Sequence, residues 1–234
     1  MIFQILAALP EGTADAAAQA APAVEKVSFS LIEMAFKGGW LMIPLFLLSI
    51  LAVYLFGERW WAIRKASQID ENFMRNIHDY VHEGKIKAAV NLCQSSDTPI
   101  ARLIEKGIER IGRPLTDIQT AVENTGNLEV SRLESGLPFL ATIAGGAPMI
   151  GFLGTVIGMI QAFYNMSQAG SNVDITLLSG GIYTAMVTTV AGLVVGIMAY
   201  FGYNYLVARI DKIVYKMESY TIEFMDLLHE PANK

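Results

Sequence analysis

The stretch GFLGTVIGM, residues 151–159, carries three glycines within eight positions of an otherwise apolar run. In water this would be a poor helix, because each interior glycine costs about 1 kcal/mol relative to alanine. A bilayer changes the balance. Hydrocarbon offers no partner for an exposed N–H or C=O, so the backbone closes its hydrogen bonds internally and a helix forms despite the glycines. The glycines then serve as contact points, since helices in lipid associate by close backbone approach rather than by hydrophobic burial. The reading requires a run long enough to span, and no Asp, Glu, Lys or Arg occurs between positions 136 and 173.

Two further charge-free runs, 38–56 and 175–208, frame the first. Crossing the hydrocarbon core takes about 20 apolar residues in a helix, range about 17–25. The 38–56 run just fits one span; each of the others fits one with room to continue as a longer helix. A core helix of a soluble protein can also be apolar all round, but it is usually shorter than about 18 residues, and three such runs in one chain argue against that class. Charged residues make up 17% of the 234-residue chain, well below the roughly 25% of a soluble domain.

Lys and Arg set the orientation. Two lie in the N-terminal arm, eleven in 58–136, none between the second and third runs, and four after position 202. Basic residues mark the cytoplasmic side, most strongly within about 15–20 residues of a span. Arg59, Arg64 and Lys65 follow the first run; Arg209, Lys212 and Lys216 follow the third. The N-terminus and the 166–178 loop are therefore expected outside, with 58–136 and the C-terminal tail inside. Trp40 at one end of the first run and Trp60 and Trp61 at the other suit an interfacial aromatic belt. The expected class is an all-α membrane protein with three transmembrane helices (38–57, 137–165, 179–205). It has long cytoplasmic extensions, a helical cytoplasmic segment over 58–136 and a cytoplasmic C-terminal helix over 206–234. Residues 1–27, Ala/Pro-rich and without a positively charged start, read as a flexible external arm or the remnant of a signal. Phe29, Ile32 and Phe36 share a helical face, which gives 28–37 either a surface-lying helix or a plain extension of the first span.

Within 58–136, Ile100, Leu103, Ile104, Ile108 and Ile111 form a helical stripe. Thr98 is its expected N-cap, with Pro99 at the first helical position and Gly112 and Pro114 as stops. Ile69, Phe73, Ile77 and Tyr80/Val81 make an earlier stripe that ends near Gly84, and a short helix follows from Ile86. The segment 115–139 reads as a helix running into the second span. His78 and His82, four apart, share a face, but zinc needs a third ligand at a plausible spacing and none is present; a solvated face is the expectation. Cys93 alone excludes a disulfide framework and reads as a small, half-buried helix residue. The net charge of −5 comes with no basic patch, so nucleic acid is not an expected partner. No nucleophile elbow, phosphate loop or paired carboxylates occur, so neither an enzyme nor a bound cofactor is expected.

In the second span Ala144, Pro148, Gly151, Thr155, Gly158 and Ala162 recur at three- and four-residue steps, and Gly154 with Gly158 adds a GxxxG pair. In the third, Ala185, Thr189, Gly192, Gly196 and Ala199 do the same, beside a second stripe of Gly181, Thr184, Thr188 and Ala191. Small residues let two backbones approach, and hydroxyls can bond across the gap. A lone membrane threonine usually bonds to its own preceding turn. Here, however, Thr155 lies near the middle of one antiparallel span and Thr188 and Thr189 near the middle of the other, so a polar layer is expected at one depth. Gln161 and Asn165, one turn apart, would form its outer mouth. The predicted spans contain no Asp, Glu, Lys, Arg or His, whereas proton-coupled devices usually need a group that binds and releases the proton. Either the chain carries no protons, or a partner helix brings the carboxylate.

The pattern AP-x-x-G-x-x-GTV-x-G-M over 147–159, followed by Gly181-Ile182, Thr188-Thr189, Gly192-Leu193 and Tyr203-Asn204, resembles the ExbB/TolQ/MotA proton-channel family, most closely its ExbB branch. The likeness is close over the last hundred or so residues and looser through the first span. It implies a homopentamer whose second and third spans line a pore. It also implies an ExbD-like single-span partner supplying an Asp, and proton-driven work on a TonB-like protein for outer-membrane import, with protons as the coupling ion. The family's pore-lining threonines fall on Thr155 and Thr189. Two departures stand out: Thr184 occupies a position where many members carry Glu, and Met198 one where many carry Pro, the usual cause of a helix kink. A TolQ-like motor for envelope integrity, or a passive scaffold whose small stripes only mediate assembly, are the competing readings.

Overall fold

The structure, a computed structural model, describes residues 38–68, 70, 72–168 and 175–229. The expected arm (1–27) and surface helix (28–37) lie outside the described residues, as does Ile69 of the early stripe. Seven helices are described: α1 Met42–Ala66, α2 Phe73–His82, α3 Ile86–Ser95, α4 Pro99–Ile108, α5 Leu115–Glu134, α6 Leu137–Gln168 and α7 Ile175–His229. Among the described residues there is no strand. Three helical stretches, α1, α5 with α6, and α7, are long and apolar enough to cross a membrane.

The short helices begin and end where local chemistry dictates. Thr98 has extended backbone and its Oγ1 accepts the Ala101 N–H at 3.3 Å, with Pro99 next in line. That satisfies one of the amides a helix start leaves open. Gly84 and Gly112 follow α2 and α4 with φ of +69° and +95°, a region only glycine enters without cost. Arg64 and Lys65 close the last turn of α1, where cations favour the carbonyl end of the helix dipole.

One expectation is corrected. The segment after Pro114 does not run unbroken into the second span: α5 stops at Glu134, and Gly136, at φ +85°, turns the chain before α6 begins. Arg59 of α1 packs against this turn and reaches the Arg132 carbonyl at 3.5 Å, giving a group near the end of α5 a donor. The third span continues without a break into the C-terminal helix, the longer helix its charge-free run left room for. At about 1.5 Å per residue the 55 residues of α7 run some 80 Å, far beyond a hydrocarbon core of about 30 Å. The continuity follows from the sequence, because no proline falls within α7 and Met198 does not interrupt it.

Past Tyr205 the apolar pattern of α7 narrows to one stripe. Leu206, Ile210, Ile213, Met217, Phe224 and Leu227 are all buried, and α2, α4 and α5 pack against this part of the helix. Phe224 is fully buried against Gly107 of α4; a methyl group on Gly107 would collide with its ring and stand 3.1 Å from Val122. Cys93, expected half-buried, is almost fully enclosed in the same helical cluster. In the spans the picture inverts: Phe46, Phe139, Met149, Phe152, Ile197 and Phe201 are exposed in the single chain. An outward apolar surface on a helix of this length suits lipid or neighbouring subunits.

Candidate functional site: the seam between α6 and α7

α6 and α7 make the most extensive helix pair of the fold, and their glycines set its closeness. A methyl group built on Gly192 would stand 2.6 Å from the Ala147 carbonyl oxygen and 2.9 Å from the Gly151 Cα. On Gly151 it would meet the Thr188 carbonyl oxygen at 2.9 Å, and on Gly158 the Ala185 methyl at 2.8 Å. On Gly154 it would run into the Thr188 side chain. None of these contacts can rotate away: at Gly154 the Thr188 Cβ itself would stand 2.7 Å from the added methyl.

Pro148 sits inside α6 and has no N–H, so the Ala144 carbonyl loses its usual helical partner. Gly196 faces that gap: a methyl group there would lie 3.0 Å from the Ala144 oxygen and 2.5 Å from the Pro148 ring. Gly196 thus packs on both the proline and the carbonyl it frees, which a larger residue would prevent.

The four threonines separate into two kinds. Thr188 is buried in the seam over Gly154 and donates to its own Ala185 carbonyl at 2.8 Å. Thr184, one turn earlier, is half-buried. Thr189 is half-buried and reaches across the seam, donating to the Gly151 carbonyl oxygen at 2.9 Å. Thr155, also half-buried, donates to Phe152 at 2.6 Å within its own helix. Gly151 is the residue whose carbonyl an ideal α-helix pairs with the Thr155 N–H, so Thr155 and Thr189 converge on one backbone unit. Each has committed its proton to a carbonyl, which leaves lone pairs as its remaining hydrogen-bonding capacity. Gln161 and Asn165 are exposed in the last turns of α6.

A second polar assembly was not anticipated from the sequence. Glu129 of α5 is only 3% exposed. It accepts from Arg102 of α4 and from Arg132, both at 2.6 Å. Arg102 also pairs with Asp97 at 2.7 Å, and Asp97 with Lys65 at the end of α1 at 2.7 Å. The chain of charges ties α1, α4 and α5 together beneath the spans. The Lys65 ammonium, by hydrogen bond and charge, and then Arg102 hold the Asp97 carboxyl below its ordinary range. A signal existed: Ile118, Val122 and Leu133 set a buried face on α5, and position 129 falls on it.

The His78 and His82 rings lie 4.4 Å apart in α2. Among the described residues no three His, Cys, Asp or Glu side chains converge as a metal cluster.

The fold and seam define a class: a helical membrane protein with three spanning stretches and a hydroxyl-bearing, uncharged seam between two of them. The MotA/TolQ/ExbB proton channel family matches over residues 95–219. The chain is 32% identical over 180 residues to a putative biopolymer transport protein, ExbB-like 1, of Synechocystis sp., covering 76% of this chain and 71% of the relative. It is 37% identical over 106 residues to the Tol-Pal system protein TolQ of Haemophilus influenzae, 45% of this chain and 46% of that one. It is 27% identical over 194 residues to the biopolymer transport protein ExbB of Neisseria meningitidis, 75% and 86% of the two chains. The chain belongs to the MotA/TolQ/ExbB proton channel family. That family is one of proton channels and transport components rather than a known enzyme family, and with the three apolar stretches it points to a protein of the inner membrane.

Proposed function

We propose that this chain is the channel-forming subunit of a proton-driven motor that energises TonB-dependent import across an outer membrane. The observation that supports this most is the Thr189 hydroxyl bonded across the seam to the Gly151 carbonyl, one turn of α6 before Thr155, whose own hydroxyl bonds to Phe152. Two hydroxyls presenting lone pairs at one depth are suited to solvating a protonated carboxylic acid or a water beside it. The spans themselves carry no Asp, Glu, Lys, Arg or His, so the acid comes from a partner: an ExbD-like protein with one membrane helix and an Asp within it. Protons are the coupling ion. The chain works as a homopentamer, with Thr155, Thr189, Thr188 and Thr184 on or near the proton path and Gln161 and Asn165 at its outer mouth. The N-terminus is periplasmic and the C-terminus cytoplasmic, as the basic residues after α1's apolar part and in α7 favour.

The test is native mass spectrometry of the tagged chain, gently extracted from its own membranes. Five copies with one or two copies of a single-span, Asp-bearing chain are expected. A stable oligomer that crosslinks to no such partner would remove the proton carrier and leave a passive scaffold. The TolQ-named relatives favour a second reading, a motor for envelope integrity. Deletion separates the two: failed growth on chelated iron or haem marks import, and detergent sensitivity with faulty division marks the envelope role.

A further inference from the structure

A groove runs along the face where α1 meets α7, and its two halves differ in chemistry. The upper half, about 480 Å³, is apolar and lies between Ser49, Ala52 and Phe56 of α1 and Met198, Phe201 and Tyr205 of α7. The lower half, about 450 Å³, is lined by Arg64, Arg209, Lys212 and Lys216, with Gln68 and with Ser67, whose hydroxyl donates to the Arg64 carbonyl, as uncharged polar lining. Tyr205 borders both. Each volume falls in the range of about 300–1,000 Å³ common for ligand pockets.

The cations are arranged for an anion they do not find among the described residues. None of the four forms an ion pair with a carboxylate among the described residues. Arg64 lies over the Trp60 ring and Arg209 over the Tyr205 ring, each at 5.4 Å, and Arg209 also donates to the Tyr205 hydroxyl at 3.0 Å. Aromatic faces thus hold both guanidinium groups in place. Lys212 and Lys216 are exposed, one turn apart, and like charges at this spacing repel. A bound anion would relieve that repulsion. The junction at Tyr205 falls where the apolar run of α7 ends, so the halves straddle the boundary between hydrocarbon and water.

We propose that this groove binds one anionic phospholipid per chain, with an acyl chain along Ala52, Phe56 and Met198 and the phosphate among Arg64, Arg209, Lys212 and Lys216. An apolar tail joined to a single negative head is the ligand whose two parts match the two halves. The site needs only that the groove lie at a membrane surface; that the leaflet is cytoplasmic rests on the topology proposed above.

The test titrates the purified full-length chain in mild nonionic detergent with phosphatidylglycerol or phosphatidylcholine of matched acyl chains, read by native mass spectrometry. Phosphatidylglycerol is expected to bind preferentially. Each basic residue near a membrane surface is worth about fivefold for an anionic lipid, so Lys212→Gln with Lys216→Gln should cut the preference by roughly 25-fold at low salt. Lys85→Gln with Lys87→Gln, away from the groove, should leave it intact. Ala52→Phe should weaken both lipids alike; if it misfolds, Ser49→Phe blocks the slot one turn away. Equal binding of the two lipids by the parent chain, or a preference that the Lys212/Lys216 variant leaves undiminished, overturns the proposal. So does competition by free glycerol phosphate at lipid-like affinity, or a photo-crosslinker at Met198 that traps a second copy of the chain instead of lipid. Because none of these readouts involves proton flow, the proposal fails or stands separately from the motor reading.

Discussion

The Thr189 hydroxyl donates a 2.9 Å hydrogen bond to the carbonyl oxygen of Gly151, and this bond is possible only because neither side of the seam carries bulk. Gly151 and Gly192 bring the two backbones within reach. The bond fixes the Thr189 oxygen beside Gly151, next in the chain to Phe152, whose carbonyl takes the Thr155 hydroxyl. Packing and polarity in this seam are therefore one arrangement: the glycines set the distance and the threonines use it.

Replacing Thr189 by Val keeps the shape and removes the bond across the seam. Interhelical hydrogen bonds in membranes are worth about 0.6–2 kcal/mol, a loss the extensive α6–α7 contact can absorb. Thr155→Val should cost still less, since its bond is local. The oligomer should therefore survive both changes, counted by native mass spectrometry, while partner-dependent proton uptake into proteoliposomes falls at least tenfold in the double variant. Thr189→Ser should restore flux. Undiminished flux in the assembled double variant would dismiss the threonines as a proton path.

Gly192→Ala should be severe and Gly145→Ala silent, although both are alanines in membrane helices. The methyl at 192 meets two backbone atoms at 2.6 and 2.9 Å, which cannot rotate away; at 145 nothing stands within 4 Å. Overpacking of a tight contact costs about 1–3 kcal/mol. Thermal aggregation of the detergent-purified protein should show a lowered midpoint for Gly192→Ala and none for Gly145→Ala.

The seam was legible because its signals are periodic: small residues at three- and four-residue steps show a contact face before any coordinates exist. Periodicity could not tell which hydroxyl would be enclosed. Thr188 and Thr189 are neighbours in sequence, yet a 100° step around the helix puts one over Gly154 and the other across from Gly151. The break at Gly136 escaped a pattern-based reading because the residues beyond it suit helix on both sides; Ser135 with ψ 130° and Gly136 with φ +85° separate α5 from α6. The charge chain through Glu129 was missed because its partners lie up to 64 residues apart (Lys65 to Glu129) and no local pattern links them.

Glu129→Gln tests that chain. The carboxylate is buried and holds two guanidinium groups, and hydrogen bonds between charged groups contribute about 1.5–3 kcal/mol. Arg102 and Arg132 are partly or largely exposed and can turn to water, so the expected loss lies near the lower end, about 1–2 kcal/mol. Asp97→Asn at the exposed end should cost far less. Because the Asp97 carboxyl is held below its ordinary range, its contribution is present at neutral pH and is lost as pH falls below about 4. A chemical-denaturation series from pH 7 to pH 3 should show this slope in the parent chain and a shallower one in Asp97→Asn.

Cys93 offers a reporter of the helical cluster outside the spans. Burial, with a smaller contribution from the Glu105 charge, pushes its thiol up to about 12. The thiolate is the reactive form. At pH 8 a thiol of this kind is ionised on the order of a thousandfold less than an unfolded one with pKa about 8.5. Iodoacetamide should therefore leave Cys93 unlabelled in the native protein and label it rapidly once the cluster opens. The raised value also fixes the pH dependence: the neutral thiol is the form the fold tolerates. Its contribution is complete below about pH 8.5 and declines as pH rises from there toward 12, because the unfolded chain gives up the proton first. Labelling rates between pH 7 and pH 10 measure this directly. Gly107→Ala, which crowds Phe224 in the same cluster, should raise the native labelling rate if the cluster opens as a unit. Fast labelling of the parent chain at pH 8 would show that the Cys93 pocket is open without unfolding.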